Sequence, residues 1–343
     1  MAERLAAIAA RLCASGKGIL AADESSATIR KRFDVINLVS TEESRRDYRE
    51  MLFRAEEAMT RYISGVILYD ETIHQTARDG TPLTRIIEAA GSIPGIKVDH
   101  GAKPLALAPG EVVTEGLDGL RKRLHDYHDL GARFAKWRAV IDIAPGIPTT
   151  GGIHANAHAL ARFAALCQEA NVVPIVEPEV LMDGAVATHG IDTCYAVTER
   201  VLAAVFEELA LANVSLPGLI LKPNMIIAGQ KSPKQASAEE VAEKTVKLLK
   251  ARVPAEVAGV AFLSGGQSDV AATEHLSLMN AIGGMPWPLT HSYGRALQAA
   301  AIQAWGGTPA GVPAGQAAFS HRARMNGLAS RGVWTAAAEK EAA

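Results

Sequence analysis

Eight short apolar runs recur along the chain with segments of helical period between them, and this alternation constrains the fold more than any other feature. The runs are GILAAD (18–23), ISGVILYD (63–70), GIKVD (95–99), RFAKWR (133–138), VVPIVEPE (172–179), GLILKP (218–223), GVAFLSGG (259–266) and PLTHSYG (288–294). They are near-continuous in apolar residues, as strands are when helices cover both faces of a sheet. Stretches such as 41–63, 155–171, 198–213 and 237–253 between them carry a helical pattern. Eight β/α units predict a closed (β/α)8 TIM barrel, and α/β barrels run to this length as one domain. An open doubly wound sheet would favour G-x-G-x-x-G after the first strand, and GILAADESSATI has none. The expectation is one barrel over 1–343, with an amphipathic N-terminal helix (MAERLAAIAARL). A tail from about 308 reads as Gly/Pro/Ala-rich, then helical, with a mobile extreme end.

The ends of these runs are charged. They carry Asp23, Asp70, Lys97 with Asp99, Lys136 with Arg138, Glu177 with Glu179, and Lys222. Each pair is spaced i, i+2, which puts both side chains on one face of a strand. Catalytic groups of a barrel sit at the C-terminal strand ends, so these charges point to a polar site above an apolar core. A strand ending in a lysine followed by proline (LKP) needs a reason, because lysine is rarely buried unpaired. A lysine that loses its proton in a buried site is a nucleophile. Spacing alone leaves Lys222, Lys136 and Lys97 open for that role.

Two serine/glycine loops, LSGGQS (263–268) and HSYGR (291–295), follow the seventh and eighth runs, where barrels often hold phosphate. Ser264 offers a hydroxyl, the glycines offer close backbone N–H groups, and Arg295 offers a planar fork of donors. A second anion site is expected after the first run, where DESSATIRKRF places Ser25, Ser26, Thr28, Arg30, Lys31 and Arg32.

Other chemistries find less support. His154 and His158 lie four apart in HANAH, but Ala155 stands where H-E-x-x-H needs glutamate, and no metal is expected. There is no G-x-S-x-G elbow and no phosphate-binding Walker motif. A net charge of −2 without a basic stripe argues against nucleic acid as a partner. No apolar run is long enough for a bilayer, so no membrane association is expected. Three scattered cysteines indicate a reducing compartment, and cytoplasmic localisation is the expectation.

Together the motifs resemble the class I fructose-1,6-bisphosphate aldolase family. The stretches that carry the likeness include GKGILAADES (16–25), TEESRRDYR (41–49), GVILYDET (65–72), GIKVD (95–99), FAKWR (134–138), PIVEPE (174–179), LKPNM (221–225), FLSGGQS (262–268) and SYGRALQA (292–299). The resemblance implies reversible cleavage of fructose 1,6-bisphosphate to dihydroxyacetone phosphate and glyceraldehyde 3-phosphate, with a covalent imine in place of a cofactor. It implies Lys222 as the Schiff-base lysine and Glu177 as the main acid/base, with Glu179, Asp23, Lys136, Lys97 and Arg138 completing the mouth. Ser264, Gly265, Gly294 and Arg295 match the C1-phosphate site, and Ser25, Thr28 and Lys97 the C6-phosphate side, with Arg32 at the basic position after it. A homotetramer is implied as well.

The chain departs from the animal pattern in three places. Thr28 stands where that pattern has serine, His100 stands where it has lysine, and no tyrosine follows Tyr293. Without a terminal tyrosine the enamine proton transfer needs another group, and weaker discrimination between bisphosphate and monophosphate is expected. The competing readings are another Schiff-base barrel, such as a transaldolase, and a non-catalytic scaffold. Two phosphate pockets favour the bisphosphate, and the intact Lys222, Glu177 and Lys136 set argues against a scaffold.

Overall fold

A run that is apolar at both odd and even positions buries both faces, either between two helical layers or between a helical layer and a barrel interior. A computed structural model of the chain describes residues 2–340, with side chains from residue 4 onward. The eight runs form strands β1 (Gly18–Ala22), β2 (Ile63–Leu68), β3 (Ile93–Lys97), β4 (Phe134–Ile141), β5 (Val173–Val180), β6 (Ile220–Leu221), β7 (Gly259–Phe262) and β8 (Leu289–Tyr293). They pair in parallel in chain order, and β8 closes on β1 with Ile19 opposite Ser292. Helices on the outside connect them, forming the (β/α)8 barrel that the alternation predicts.

The barrel has two cores. Outward residues such as Leu20, Val66, Trp137, Val176 and Leu221 pack against the helices. Inward residues Ile19, Ala21, Ile67, Ile93, Phe134, Val173, Ile175, Ile220 and Ala261 form a second cluster with Leu5, Ala9, Leu12 and Cys13. The last four come from or directly follow the helix Ala2–Leu12, which therefore plugs the N-terminal end of the barrel. Room for the plug comes from missing side chains. A Cβ on Gly259 would collide with Cys13, and one on Gly65 with Leu12.

The inward series turn ionic one step higher. Phe134 is followed on the same face by Lys136 and Arg138, Val173 and Ile175 by Glu177 and Glu179, and Ile220 by Lys222. A period of two thus carries each of these three strands from a closed apolar floor to a charged mouth.

Two details were not foreseen. The segment 41–63 forms two helices, Glu42–Phe53 and Glu56–Arg61, because the backbone leaves helical geometry at Ala55. An antiparallel ribbon pairs Ala102–Pro104 with Val112–Thr114 after β3. In the tail, a helix runs from Val312 to Ala329, and Gln316 donates to the Met51 carbonyl at 3.0 Å. The extreme end, expected to be mobile, lies outside the described residues from 341 onward. Among the described residues no helix is long and apolar enough to cross a membrane.

Candidate active site

The LKPN motif builds its own rigid platform. Lys222 N–H still joins the barrel ladder, donating to the Val176 carbonyl at 2.8 Å. Pro223 has no N–H to continue it, so β6 stops there. Asn224 then locks the turn. Its Oδ1 accepts from Val180 N–H at 3.0 Å, and its Nδ2 donates to the Met225 carbonyl at 3.1 Å and to Thr198 Oγ1 at 3.3 Å. Lys222 is thereby held pointing inward with 4% of its surface exposed.

Its partner is Glu177, with Lys222 Nζ 3.1 Å from Glu177 Oε1. The other carboxylate oxygen, Oε2, lies 3.3 Å from Lys136 Nζ but has no hydrogen bond. Lys136 Nζ instead sits 2.8 Å from Asp23 Oδ2. Burial alone would raise the Asp23 carboxyl, but Lys136, Lys222 and Lys97 outweigh it and hold the group far below the usual carboxylate range. Burial disfavours the Lys136 ammonium, yet Asp23, Glu177 and Asp99 raise it above the ordinary lysine value. Both shifts describe one ion pair that stays charged. Burial raises the Glu177 carboxyl, while Lys136, Lys222 and Arg138 together bring it below its ordinary value.

The rim continues the alternation of charge. Arg138 is ion-paired with Glu179, and Lys97 Nζ lies 3.6 Å from Asp99 Oδ1. Ser25 caps the helix Ser26–Asp34 through Thr28 N–H and lies 3.1 Å from the Thr28 hydroxyl. Arg32, one helical turn on, pairs with Glu24. Opposite them, the backbone of Gly265 runs so close to Glu179 that a Cβ there would lie 2.7 Å from Oε1. Gly266 adopts φ +73°, which favours glycine. Arg295 reaches the Gln267 carbonyl and lies 3.4 Å from Asp269 Oδ1.

Fourteen residues singled out from the sequence line one cavity of about 310 Å³, with Asp99 beside them: Asp23, Ser25, Thr28, Arg32, Lys97, Lys136, Arg138, Glu177, Glu179, Lys222, Ser264, Gly265, Gly294 and Arg295. Ser26, Arg30 and Lys31, expected at the second anion site, do not line it, and Arg30 and Lys31 are exposed on the helix that Ser25 caps. The lining holds six cations (Arg32, Lys97, Lys136, Arg138, Lys222, Arg295) against five carboxylates (Asp23, Glu24, Asp99, Glu177, Glu179), so a phosphorylated ligand meets a slight excess of positive charge. Ionic groups on opposite sides of a sugar-sized space, with a paired lysine and glutamate at its base, suit covalent amine chemistry with proton transfer.

Asp70 does not join them. It follows Leu68 on the outward parity of β2, opens the helix Asp70–Ile73 and accepts the Tyr127 hydroxyl at 2.6 Å. The inward position beside it belongs to Tyr69, whose ring lies 5.9 Å from Lys97 Nζ. Two polar cavity residues escaped the sequence reading. Ser292 is buried, lines the mouth and leaves its Oγ without a hydrogen bond; its spacing of two before Gly294 was the available signal. Glu24 accepts from Gln298 Nε2 at 2.9 Å, and its Oε2 lies 3.7 Å from the buried Arg49. His154 and His158 sit on an outer helix, where both approach Glu208. Among the described residues no three His, Cys, Asp or Glu side chains converge as metal ligands.

A family model described as "Fructose-bisphosphate aldolase class-I" matches residues 4–343. The chain is 55% identical over 333 residues to a probable fructose-bisphosphate aldolase class 1 of Xanthomonas campestris, covering 97% of this chain and 98% of that one. It is 50% identical to fructose-bisphosphate aldolase 1 of Toxoplasma gondii, covering 97% and 92%. A solved structure of fructose-bisphosphate aldolase from Plasmodium falciparum, in complex with TRAP and a small-molecule inhibitor, superposes with a TM-score of 0.94. It is 45% identical, with coverage of 97% and 96%.

Proposed function

The chain belongs to the class I fructose-bisphosphate aldolase family, and from that premise we propose how its residues divide the work. The reaction is the reversible lyase step of glycolysis, cleaving fructose 1,6-bisphosphate into dihydroxyacetone phosphate and glyceraldehyde 3-phosphate through a lysine Schiff base. The residue roles that follow rest above all on one observation, the buried contact of 3.1 Å between Lys222 Nζ and Glu177 Oε1.

Lys222 passes a proton to Glu177 and attacks the C2 carbonyl of the open-chain sugar. Glu177 returns that proton to the departing hydroxyl, water leaves, and a protonated imine remains. The iminium accepts the electron pair of the breaking C3–C4 bond while the C4 hydroxyl proton goes to a carboxylate. Glu177 is better placed for this than Asp23, because its Oε2 has no hydrogen bond and is free to accept, whereas Asp23 Oδ2 is already engaged by Lys136 at 2.8 Å. Glyceraldehyde 3-phosphate leaves. Protonation of the enamine and hydrolysis of the imine release dihydroxyacetone phosphate and restore Lys222.

Lys136 stays cationic and stabilises negative charge that develops on the hydroxyl oxygens. Ser264, Gly265, Gly294 and Arg295 bind the C1 phosphate. Ser25, Thr28 and Lys97 bind the C6 phosphate, with Arg32 beside them. Arg138 and Glu179 form the rim between the two ends. Fixing both phosphates aligns C2 over Lys222, and alignment of this kind supplies several kcal/mol. The iminium provides the electron withdrawal, so the reaction needs no metal ion. One catalytic domain spans the chain, the enzyme works in the cytoplasm, and it assembles as a homotetramer.

Two variants test the division of labour. Lys222→Met abolishes cleavage and imine trapping, whereas Glu177→Gln still forms the imine, though more slowly, and turns over at least 100-fold more slowly, the range expected of lost general acid–base catalysis. Cleavage surviving in Lys222→Met would move the nucleophile to another residue.

A further inference from the structure

A second cavity opens at the other end of the barrel, beside the helix that plugs it. Its volume is about 400 Å³, within the range of small-molecule sites. One stripe of the plug helix, Arg4, Ala7, Ile8 and Arg11, forms one wall. The face that carries Leu5, Ala9 and Leu12 is turned into the barrel instead. Arg133, just before β4, lines the same cavity, and Glu88 is its one acidic residue.

The charges here are uncompensated. Glu88 is held by Arg85 at 2.7 Å. Arg133 donates to the carbonyls of His128 and Ala132 at 2.8 and 2.9 Å and has no carboxylate partner among the described residues. Arg4 and Arg11 form no hydrogen bond or ion pair among the described residues. Neighbouring cations register the field. Burial and then Arg11 lower the pKa of Lys17, while burial and then Arg133, with a smaller part from Arg4, lower that of His128. Arg4 and Arg11 lie about 10 Å apart along their helix at a rise of about 1.5 Å per residue. That separation is wider than a single phosphate. Guanidinium forks match phosphate oxygens in pairs.

We propose that this cavity binds a small anion bearing two or more phosphate groups, held by Arg4, Arg11 and Arg133, at a site separate from the barrel mouth. The carbonyl bonds of Arg133 fix its guanidinium in advance, while the two helix arginines close from the helix wall. Ala7 and Ile8 supply an apolar strip between them.

Calorimetric titration of the full-length protein with inorganic triphosphate tests this. The mouth also takes phosphate, so the readout is the difference between the natural protein and the double variant R4Q/R11Q. The natural protein is expected to bind one more equivalent than the variant, or to bind it at least tenfold more tightly. Arg133→Gln should lose the same increment. Cleavage kinetics should be unchanged in R4Q/R11Q, which also certifies that it has folded. Equal stoichiometry and affinity in the natural protein and R4Q/R11Q would overturn the site.

Discussion

Replacing Lys136 by methionine removes the cation that holds two buried carboxylates together. Lys136 Nζ lies 2.8 Å from Asp23 and 3.3 Å from Glu177, and the lysine is 4% exposed. At an effective dielectric of about 20, Coulomb's law gives roughly 6 kcal/mol for the shorter contact and 5 for the longer. Desolvation of the three groups offsets part of this, and breaking a buried pair at one partner costs about 3–5 kcal/mol. The loss is limited because the stranded carboxylates can take up a proton. Asp23 and Glu177 both have native pKa values below their unfolded ones, so their contribution is present above the unfolded values of 3.8 and 4.5 and is lost as pH falls through the native ones. Without Lys136 those native values rise, and the acid-linked loss of stability shrinks. Urea unfolding at pH 7 and again near pH 4 should therefore show the variant about 3–5 kcal/mol weaker at pH 7 and the gap narrowing with acid. The acid limb of its kcat/KM profile should move to higher pH. A deficit below about 1 kcal/mol with an unmoved acid limb would refute the reasoning.

Other consequences are as direct. His291 is fully buried without a hydrogen bond on either ring nitrogen, and burial drops its pKa to about 3. A native value below the unfolded 6.5 stabilises the protein above that pH and is lost as pH falls. His291→Phe should thus lose about 1–3 kcal/mol less than the natural protein between pH 7 and 4.5, measured from urea curves. Gly95→Ala should destabilise by about 1–3 kcal/mol in the same assay, since its methyl meets the Phe134 ring in the packed floor. Arg295→Ala should raise KM for the bisphosphate about tenfold or more while leaving imine formation at Lys222 intact, read by steady-state kinetics beside trapping.

The barrel was legible because eight near-continuous apolar runs alternate with helical segments, and within some runs a period of two also shows the face. Phe134, Lys136 and Arg138 declare both the inward face and the height at which it turns ionic. Lys222 stood out as an ammonium before Pro223 at a strand end, but spacing left Lys136 and Lys97 equally open, and only the family resemblance singled it out. Asp70 misled because a charge at a strand end says nothing of parity, and its parity is outward. Ser292 was passed over because a serine in a glycine-rich turn has many uses, and only the barrel's closure shows its hydroxyl facing the mouth. Glu24 stabilises Arg32 through partners such as Arg49 and Gln298, which are brought to it from 25 and 274 residues away. Contacts of that separation leave no local pattern. The plug helix was legible as amphipathic, but its two faces acquire meaning only once one of them fills the barrel.

The central claim is that Lys222 forms the imine without help from a metal. Incubation with dihydroxyacetone phosphate and excess EDTA, followed by borohydride reduction and mass-spectrometric mapping, tests it most directly. The account predicts one reduced adduct, on Lys222, and undiminished cleavage in EDTA. No adduct, together with activity that EDTA abolishes, would contradict it.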